Sequence, residues 1–299
     1  MTIGRTALEI TILVASPVLL VTLVAGLIIS VFQAATQIND ASLSFIPKVL
    51  AVLATFAIAG PLGLIMVAPV FGHRSVPAQV KIGLGVFIAL IVSPALPPLP
   101  DVALGSWHGL HILVQQFLIG VAIGFVMRVA FAAIEAAGEI VGLQIGLGFA
   151  SFFDPQSAGQ TLVLARFFNL LAMLVFLAIN GHLLLIGVLV DSFQTLPIST
   201  QPLAAKGFFT LAGFGSTVLG VGLQLALPLI AILLMTNLAL GILTRSAPQL
   251  NIFAIGFPIT LGVGLVVLDF MLPYFAPQFE ALIYNALKMA LTVISDLRS

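Results

Sequence analysis

The run HGLHILVQQFLIGVAIGFVMRVAFAA occupies residues 108–133 and carries one charged residue, Arg128. A helix needs about 20 mostly apolar residues to cross a membrane, so this run is long enough. Similar runs occupy residues 10–35, 48–70, 80–98, 166–190, 210–243 and 252–273. They are too long and too free of alternation for barrel strands, and helices satisfy their own backbone groups in lipid. The runs predict an all-α, polytopic membrane protein of about seven apolar helices.

The composition of the whole chain supports the same class. Of its 299 residues, 61% are hydrophobic and 7% are charged, and the mean hydropathy is +1.27. A soluble domain has about 25% charged residues, so a water-facing surface cannot be built from those that remain. Ten basic and ten acidic residues balance, so the charge indicates no nucleic-acid partner. The absence of cysteine excludes disulfides, thiolate metal sites and cysteine nucleophiles.

The C-terminal stretch has a different pattern from the apolar runs. Glu280, Lys288 and Asp296 recur every eight residues among leucines and isoleucines. This spacing predicts a C-terminal amphipathic helix. Such a helix lies at an interface, on a partner, or against its own chain.

Glycines recur at four-residue spacing in two of the apolar regions. Gly138, Gly142 and Gly146 follow one another in GEIVGLQIG, and Gly120 and Gly124 repeat the spacing. Glycines in such register lie along one helical face and let a second backbone approach closely. We therefore expect helix packing at Gly138 and Gly142, although glycine is also simply common in membrane helices.

Three ionisable residues share one helical stripe. Glu135 and Glu139 follow Arg128 at seven and eleven residues. Ionisable groups at membrane depth are costly and usually face a protein interior or a wet cavity. The stripe indicates either a polar lining with a proton site or a structural, buried polar network.

A phenylalanine cluster lies on a break between apolar runs. Phe149, Phe152 and Phe153 precede Asp154 and Pro155. An apolar cluster on an irregular segment can close a pore by excluding water, or it can pack as ordinary core. Non-helical backbone at membrane depth is tolerated only inside protein or beside a water-filled cavity. The break therefore favours a channel, a transporter or a subunit of a larger assembly.

No catalytic or metal-binding motif occurs in the sequence. His108 and His111 lie three residues apart, but no carboxylate or third histidine completes a site within that segment. HExxH, GxSxG and Walker A sequences are absent. The sequence predicts no enzyme activity, no metal and no cofactor.

Long stretches of the chain resemble a known family. NLALGILTRSAPQLNIFAIGFPITL (237–261) is similar to the most distinctive part of the FliR family, called SctT in injectisomes. AAGEIVGLQIGLGFASFFDPQS (136–157) and LARFFNLLAMLVFLAINGHLLLI (164–186) resemble the same family in the same order. The beginning of the chain, with its loop TQIND (36–40), resembles FliQ instead. The resemblance divides the chain into a FliQ-like helical hairpin at 1–61 and a FliR-like export-gate domain at 62–299.

The resemblance implies a subunit of the protein export gate in the bacterial inner (cytoplasmic) membrane, within a flagellar basal body or an injectisome. The implied partners are FliP-like and FliQ-like subunits, an FlhB-like protein, membrane lipid and unfolded export substrates. The family's loop after the glycine-rich helix plugs the closed pore, so the expected gate residues are Gly146, Gly148, Phe149, Phe152, Phe153 and Asp154. The FliQ hairpin loop lies near the cytoplasmic entrance, which gives as expected subunit contacts Gln37, Asn39 and Lys48.

Two other readings of the sequence remain open. A secondary transporter for a small solute would use Arg128, Glu135 and Glu139, and often shows internal repeats, of which we find none. A FliQ–FliR fusion without function is the other. FliQ's second helix leaves a cytoplasmic loop and FliR's first helix ends at one, so residues 48–70 cannot do both as one straight helix. The junction predicts a kink or a re-entrant turn at Gly60–Pro61, or a fusion that assembles imperfectly.

Overall fold

A computed structural model of the chain describes residues 56–93, 96, 102, 106–147, 163–246 and 252–298. The predicted apolar run at 10–35 lies outside these residues. Helices make up nearly all of the described ranges, and no strand occurs in them, which confirms the all-α prediction. In chain order the helices are α1 (Phe56–Val67), α2 (Ala78–Val92), α3 (Trp107–Ile145), α4 (Val163–Ala178), α5 (Gly181–Thr195), α6 (Ala205–Gly215), α7 (Val218–Ser246) and α8 (Ile252–Arg298).

Three of the helical stretches are long and apolar enough to cross a membrane. These are α3, α6 with α7 (Ala205–Ser246), and α8 from Gly256 onward, and the bent pair α4–α5 makes a fourth if it counts as one span. At 1.5 Å per residue, the 39 residues of α3 extend about 58 Å, against a hydrocarbon core of about 30 Å. Membrane helices tilt by at most about 40°, which is too little to fit a helix of this length within the hydrocarbon core. Parts of these helices therefore extend beyond the hydrocarbon core.

The predicted run at 166–190 is divided between α4 and α5. The two helices meet at an angle of 68°. Asn180 has a φ of 55°, in the left-handed region that asparagine tolerates better than most residues, and Gly181 follows it. The predicted single run therefore contains a sharp turn, at an Asn-Gly dipeptide of the kind that marks turns.

The C-terminal amphipathic stretch is continuous with the predicted run at 252–273, and together they form α8. Several of its apolar positions are buried inside the protein, among them Phe279, Ile283, Ala286, Ala290 and Ile294, whereas Leu291 is exposed. The buried positions recur at three- and four-residue intervals, so they share one helical face. The sequence left open whether this helix lies at an interface, on a partner or against its own chain. In the structure it packs against its own chain.

Two compact units can be distinguished. The first contains the described residues up to Phe125, with Ile186–Gly207 and 291–298. In it, α1 runs beside α3 with very close backbone contact. A β-carbon at Gly63 would collide with the Phe117 carbonyl oxygen, and one at Gly120 would collide with the Gly60 carbonyl oxygen. A β-carbon at Gly124 would stand 3.0 Å from the Leu64 carbonyl oxygen.

The helix α1 is unbroken through Gly60 and Pro61, so no re-entrant turn occurs between Phe56 and Val67. The chain turns just afterwards, where Val70 has a φ of 71°. The Lys81 ammonium group donates a hydrogen bond of 3.0 Å to the Gly72 carbonyl, which fastens this turn to the start of α2.

The loop before α6 is held by the end of α8 within the same unit. The Ala204 amide donates to the Leu297 carbonyl at 2.8 Å. Lys206 and Asp296 form an ion pair of 2.7 Å. The last turn of α8 is therefore fixed by both backbone and side-chain contacts.

The second unit contains Val126–Leu185 and Phe208–Ala290. The C-terminal half of α3 contacts three other helices of this unit at glycines. A β-carbon at Gly138 would stand 2.7 Å from the Ala165 Cα of α4. On α7, a β-carbon at Gly222 would stand 3.0 Å from the Ala133 carbonyl oxygen of α3. On α8, Gly264 lies against the Ile145 side chain. Helix α3 therefore contacts α4, α7 and α8 within this unit.

Aromatic rings fill the contact between α4 and α8. Phe168 lies with its ring centre 5.0 Å from that of Phe275 and 5.9 Å from that of Phe279. Phe275 and Phe279 stack on one another at 5.8 Å. Ring pairs at these separations stabilise a core beyond the area that they bury.

Candidate functional site

The first of the predicted gate residues, Gly146, lies where α3 ends. Its φ of 96° is a backbone conformation that glycine adopts without strain. Its amide donates to the Leu143 carbonyl at 3.1 Å, which closes the last turn of the helix. A β-carbon at this position would stand 3.1 Å from the Phe257 ring of α8. The other predicted gate residues lie outside the described residues: Gly148, Phe149, Phe152, Phe153 and Asp154.

The ionisable stripe of α3 has one half-buried member. Arg128 and Glu139 are exposed, whereas Glu135 is partly buried. The Asn169 Nδ2 group of α4 donates a hydrogen bond of 3.4 Å to Glu135 Oε2. Within the described residues, no ion pair within 4.0 Å joins Arg128 to either glutamate. The partner that the structure gives Glu135 is therefore a neutral carboxamide.

Asn169 is a residue that the sequence interpretation missed. Its Oδ1 atom is buried and has no hydrogen-bond partner among the described residues. The signal was present, because asparagine is the only uncharged polar residue in the α4 sequence VLARFFNLLAMLVFLA. Buried polar groups are normally hydrogen-bonded, so a polar residue in such a run predicts a partner on a neighbouring helix.

The predicted packing glycines lie next to this polar pair. Gly138 is one turn beyond Glu135 and faces the backbone of Leu164 and Ala165. Gly142 is buried one turn further on. Since glycine leaves no side chain between the two backbones, α3 and α4 come close enough for the short side chain of Asn169 to reach Glu135. No group of histidine, aspartate and glutamate residues suited to a metal ion occurs in the described ranges.

Comparison with known families identifies the larger part of the chain. Residues 58–286 match the family described as bacterial export proteins, family 1. The chain belongs to this family. Among its relatives, the flagellar biosynthetic protein FliR of Escherichia coli (strain K12) is 50% identical over 236 residues, 79% of this chain and 90% of that protein. FliR of Pectobacterium carotovorum subsp. carotovorum is 50% identical over 80% of this chain and 91% of that protein. FliR of Bacillus subtilis (strain 168) is 31% identical over 67% of this chain and 78% of that protein.

A second family matches the beginning of this family 1 protein. Residues 1–70 match bacterial export proteins, family 3, which is consistent with the predicted FliQ-like N-terminal segment. Both families match residues 58–70, which include most of α1, so the domain boundary after residue 61 stays a prediction. The expected subunit contacts Gln37, Asn39 and Lys48 lie outside the described residues.

Proposed function

We propose that the chain is a subunit of the inner-membrane protein export gate of a flagellar (type III) secretion system, which lets unfolded polypeptides pass. The observation that carries this proposal is the family 1 match at residues 58–286, together with 50% identity to a FliR protein over 90% of that relative. The multi-pass helical structure supports it, because export across a membrane needs a protein that spans one.

The arrangement at the end of α3 supports a pore plug beginning at Gly146. Helix α3 leads directly into the predicted gate segment, and Gly146 provides the left-handed turn at which the segment leaves the helix. A helix fixed by glycine contacts to α4, α7 and α8 is a rigid support for a plug. We assign Phe149, Phe152 and Phe153 as the apolar part of that plug.

The fused N-terminus is consistent with a working subunit. Helix α1, which both families match in part, packs onto α3 through Gly63 and Gly120 without a gap. If the junction disturbed the family 1 domain, we would expect a disturbed contact between α1 and α3. We therefore propose that the chain provides a FliQ-like segment and a FliR-like subunit in one polypeptide, and that FliP-like, FliQ-like and FlhB-like proteins complete the gate.

Complementation tests the proposal. The chain, expressed in a flagellated bacterium that lacks its own FliR, should restore swimming and secretion of flagellar proteins. A variant that begins at residue 56 lacks almost all of the FliQ-like segment and so tests the FliR-like part by itself. It should restore secretion only if the host supplies its full number of FliQ copies. Correctly inserted protein that restores neither secretion nor swimming, and that copurifies with no other export subunit, would contradict the proposal.

A further inference from the structure

The side chain of Gln115 ties the beginning of α3 to the loop that precedes α6. Its Nε2 group donates a hydrogen bond of 2.7 Å to the backbone carbonyl of Gln201 in that loop. The same Nε2 group lies 2.9 Å from the Nε2 atom of His111, one turn earlier on α3. All three residues belong to the first unit. Gln115 is only 6% exposed, whereas His111 is exposed, so water reaches the histidine but hardly reaches the amide.

The Gln201 carbonyl determines which of these atoms carry hydrogens. A carbonyl oxygen can only accept, so the part of the Gln115 amide that faces it must be the NH₂ group and not the amide oxygen. The second hydrogen of that group is then shared with His111, whose Nε2 atom has to accept it. The bonded ring is therefore neutral, with its hydrogen on Nδ1.

A proton on the Nε2 atom of His111 removes this acceptor. Both atoms of the 2.9 Å contact would then be donors, and two donors form no hydrogen bond. If the Gln115 amide turns over, its oxygen accepts from the charged ring, in a bond about twice as strong as a neutral one. The same turn brings that oxygen against the Gln201 carbonyl, so the bond to the loop is lost.

The two ends of the loop are held by the last turn of α8 through contacts that involve no histidine. The Ala204 amide donates to the Leu297 carbonyl at 2.8 Å, and the Arg298 guanidinium donates to the Thr195 carbonyl at 3.2 Å. These contacts keep their donors and acceptors when His111 takes up a proton. We therefore expect the change in the middle of the loop, around Gln201.

No charged partner holds His111 in one protonation state within the part of the chain that the structure describes. The ionisable residues of the surrounding elements are His108 on α3, Asp191 on α5, Lys206 on α6, and Asp296 and Arg298 on α8. None of these forms an ion pair with His111 within 4.0 Å, and α1 has no ionisable residue. Histidine in water takes up its proton at about pH 6.5.

We propose that His111 is a pH-sensitive latch. In its neutral form it holds the loop before α6 to α3 through Gln115, and in its protonated form it releases the loop. The sign of the pH dependence follows, because the tie is complete above the range in which histidine titrates and is lost as the pH falls through it.

Spin labelling of the loop measures this release directly. The chain has no cysteine, so Thr200→Cys, at an exposed position beside Gln201, takes a single nitroxide label. With the full chain in lipid nanodiscs, electron paramagnetic resonance should show a label at least twofold more mobile at pH 5.5 than at pH 7.5. His111→Gln offers an amide oxygen that accepts at both pH values, so the label should stay equally immobile at both.

The matched control is His108→Gln, which replaces the other exposed histidine of α3 and should leave the pH dependence unchanged. The inference is overturned by a wild-type label that is equally mobile at both pH values. It is also overturned if the pH dependence survives in His111→Gln or disappears in His108→Gln.

A second measurement does not depend on the loop label. The chain has four histidines, so nitrogen-15 labelling of histidine gives a simple spectrum, in which the signals of His111 are those missing from His111→Gln. At pH 7.5 the ring of His111 should carry its hydrogen on Nδ1. A hydrogen on Nε2 at that pH would refute the latch, because the atom could not accept from Gln115. Neither measurement uses secretion, so the latch and the export function are tested separately.

Discussion

Gly120 of α3 lies directly against the backbone carbonyl oxygen of Gly60 on α1, and a methyl group at position 120 would overlap that oxygen. Only one of these two glycines lacks room for a side chain. A β-carbon at Gly60 would find its nearest neighbours, the Phe193 ring among them, at 3.5 Å or more, which is ordinary contact. The same helix contact therefore contains one glycine that is required and one that is not.

Gly120→Ala should destabilise the protein by about 1–3 kcal/mol, because the obstructing atom belongs to the backbone and cannot rotate away. Gly60→Ala should cost less than Gly120→Ala, because its β-carbon meets no atom of another residue closer than 3.5 Å apart from the ring of Pro61, which follows it and disfavours helical backbone at a residue with a β-carbon. Thermal unfolding in detergent, followed by circular dichroism, measures both. Equal melting temperatures for the two variants would show that α1 and α3 are further apart than described.

Within the described residues, the apolar runs predict where the helices lie, because the length and composition of a run largely determine whether it can span a membrane. Their ends are harder to predict. The prediction treats residues 166–190 as one run, yet the backbone turns at Asn180–Gly181, a dipeptide that is typical of turns. The glycine pattern predicts helix packing at Gly138 but does not name a partner, since the neighbour on α4, Ala165, is fixed by tertiary structure.

The candidate site is less predictable than the fold, because it depends on tertiary contacts between helices. The charge of Glu135 predicts a polar site, but its hydrogen-bond partner Asn169 lies 34 residues further along the chain. Gln224 on α7 and Gln278 on α8 likewise line one surface groove although they are far apart in the sequence. Residues so far apart in the sequence come together only through helix packing, and a single sequence does not show directly how its helices pack.

The pair of Glu135 and Asn169 yields a prediction about stability. Glu135→Gln keeps an oxygen that can accept from Asn169 Nδ2, so unfolding should be nearly unchanged. Glu135→Leu removes the acceptor and leaves the partly buried carboxamide without it, which should cost about 1–3 kcal/mol. Thermal unfolding of the two variants measures this difference. A Glu135→Leu protein as stable as the Glu135→Gln protein would mean that the bond contributes nothing.

The turn between α4 and α5 depends on a left-handed residue. Asn180→Gly should be tolerated, because glycine adopts positive φ at no steric cost. Asn180→Val should destabilise by about 1–3 kcal/mol, since a β-branched residue is strained in that region. Thermal unfolding again provides the measurement. If the valine variant unfolds like the wild type, then the turn is not formed as the φ of Asn180 indicates.

The ion pair between Lys206 and Asp296 should contribute little. The Lys206 side chain is 63% exposed and that of Asp296 is 15% exposed, so water and salt screen much of the attraction. A double-mutant cycle with Lys206→Met and Asp296→Asn should give a coupling energy below about 1 kcal/mol that falls further in 1 M salt. A larger coupling that does not respond to salt would indicate that the pair is shielded from water.

The proposed plug makes the most direct functional prediction. Replacing Phe149, Phe152 and Phe153 with alanine should make membranes that contain the assembled gate leaky to ions, because a pore closed by apolar side chains fills with water when those side chains are removed. Ion flux across membrane vesicles under an applied potential measures the leak. Phe270→Ala is the matched control, since that exposed phenylalanine lies on α8 outside the predicted gate segment. Unchanged flux in a triple variant that still assembles with its partner subunits would remove these residues from the gate, and the plug would then have to be sought elsewhere beyond Gly146.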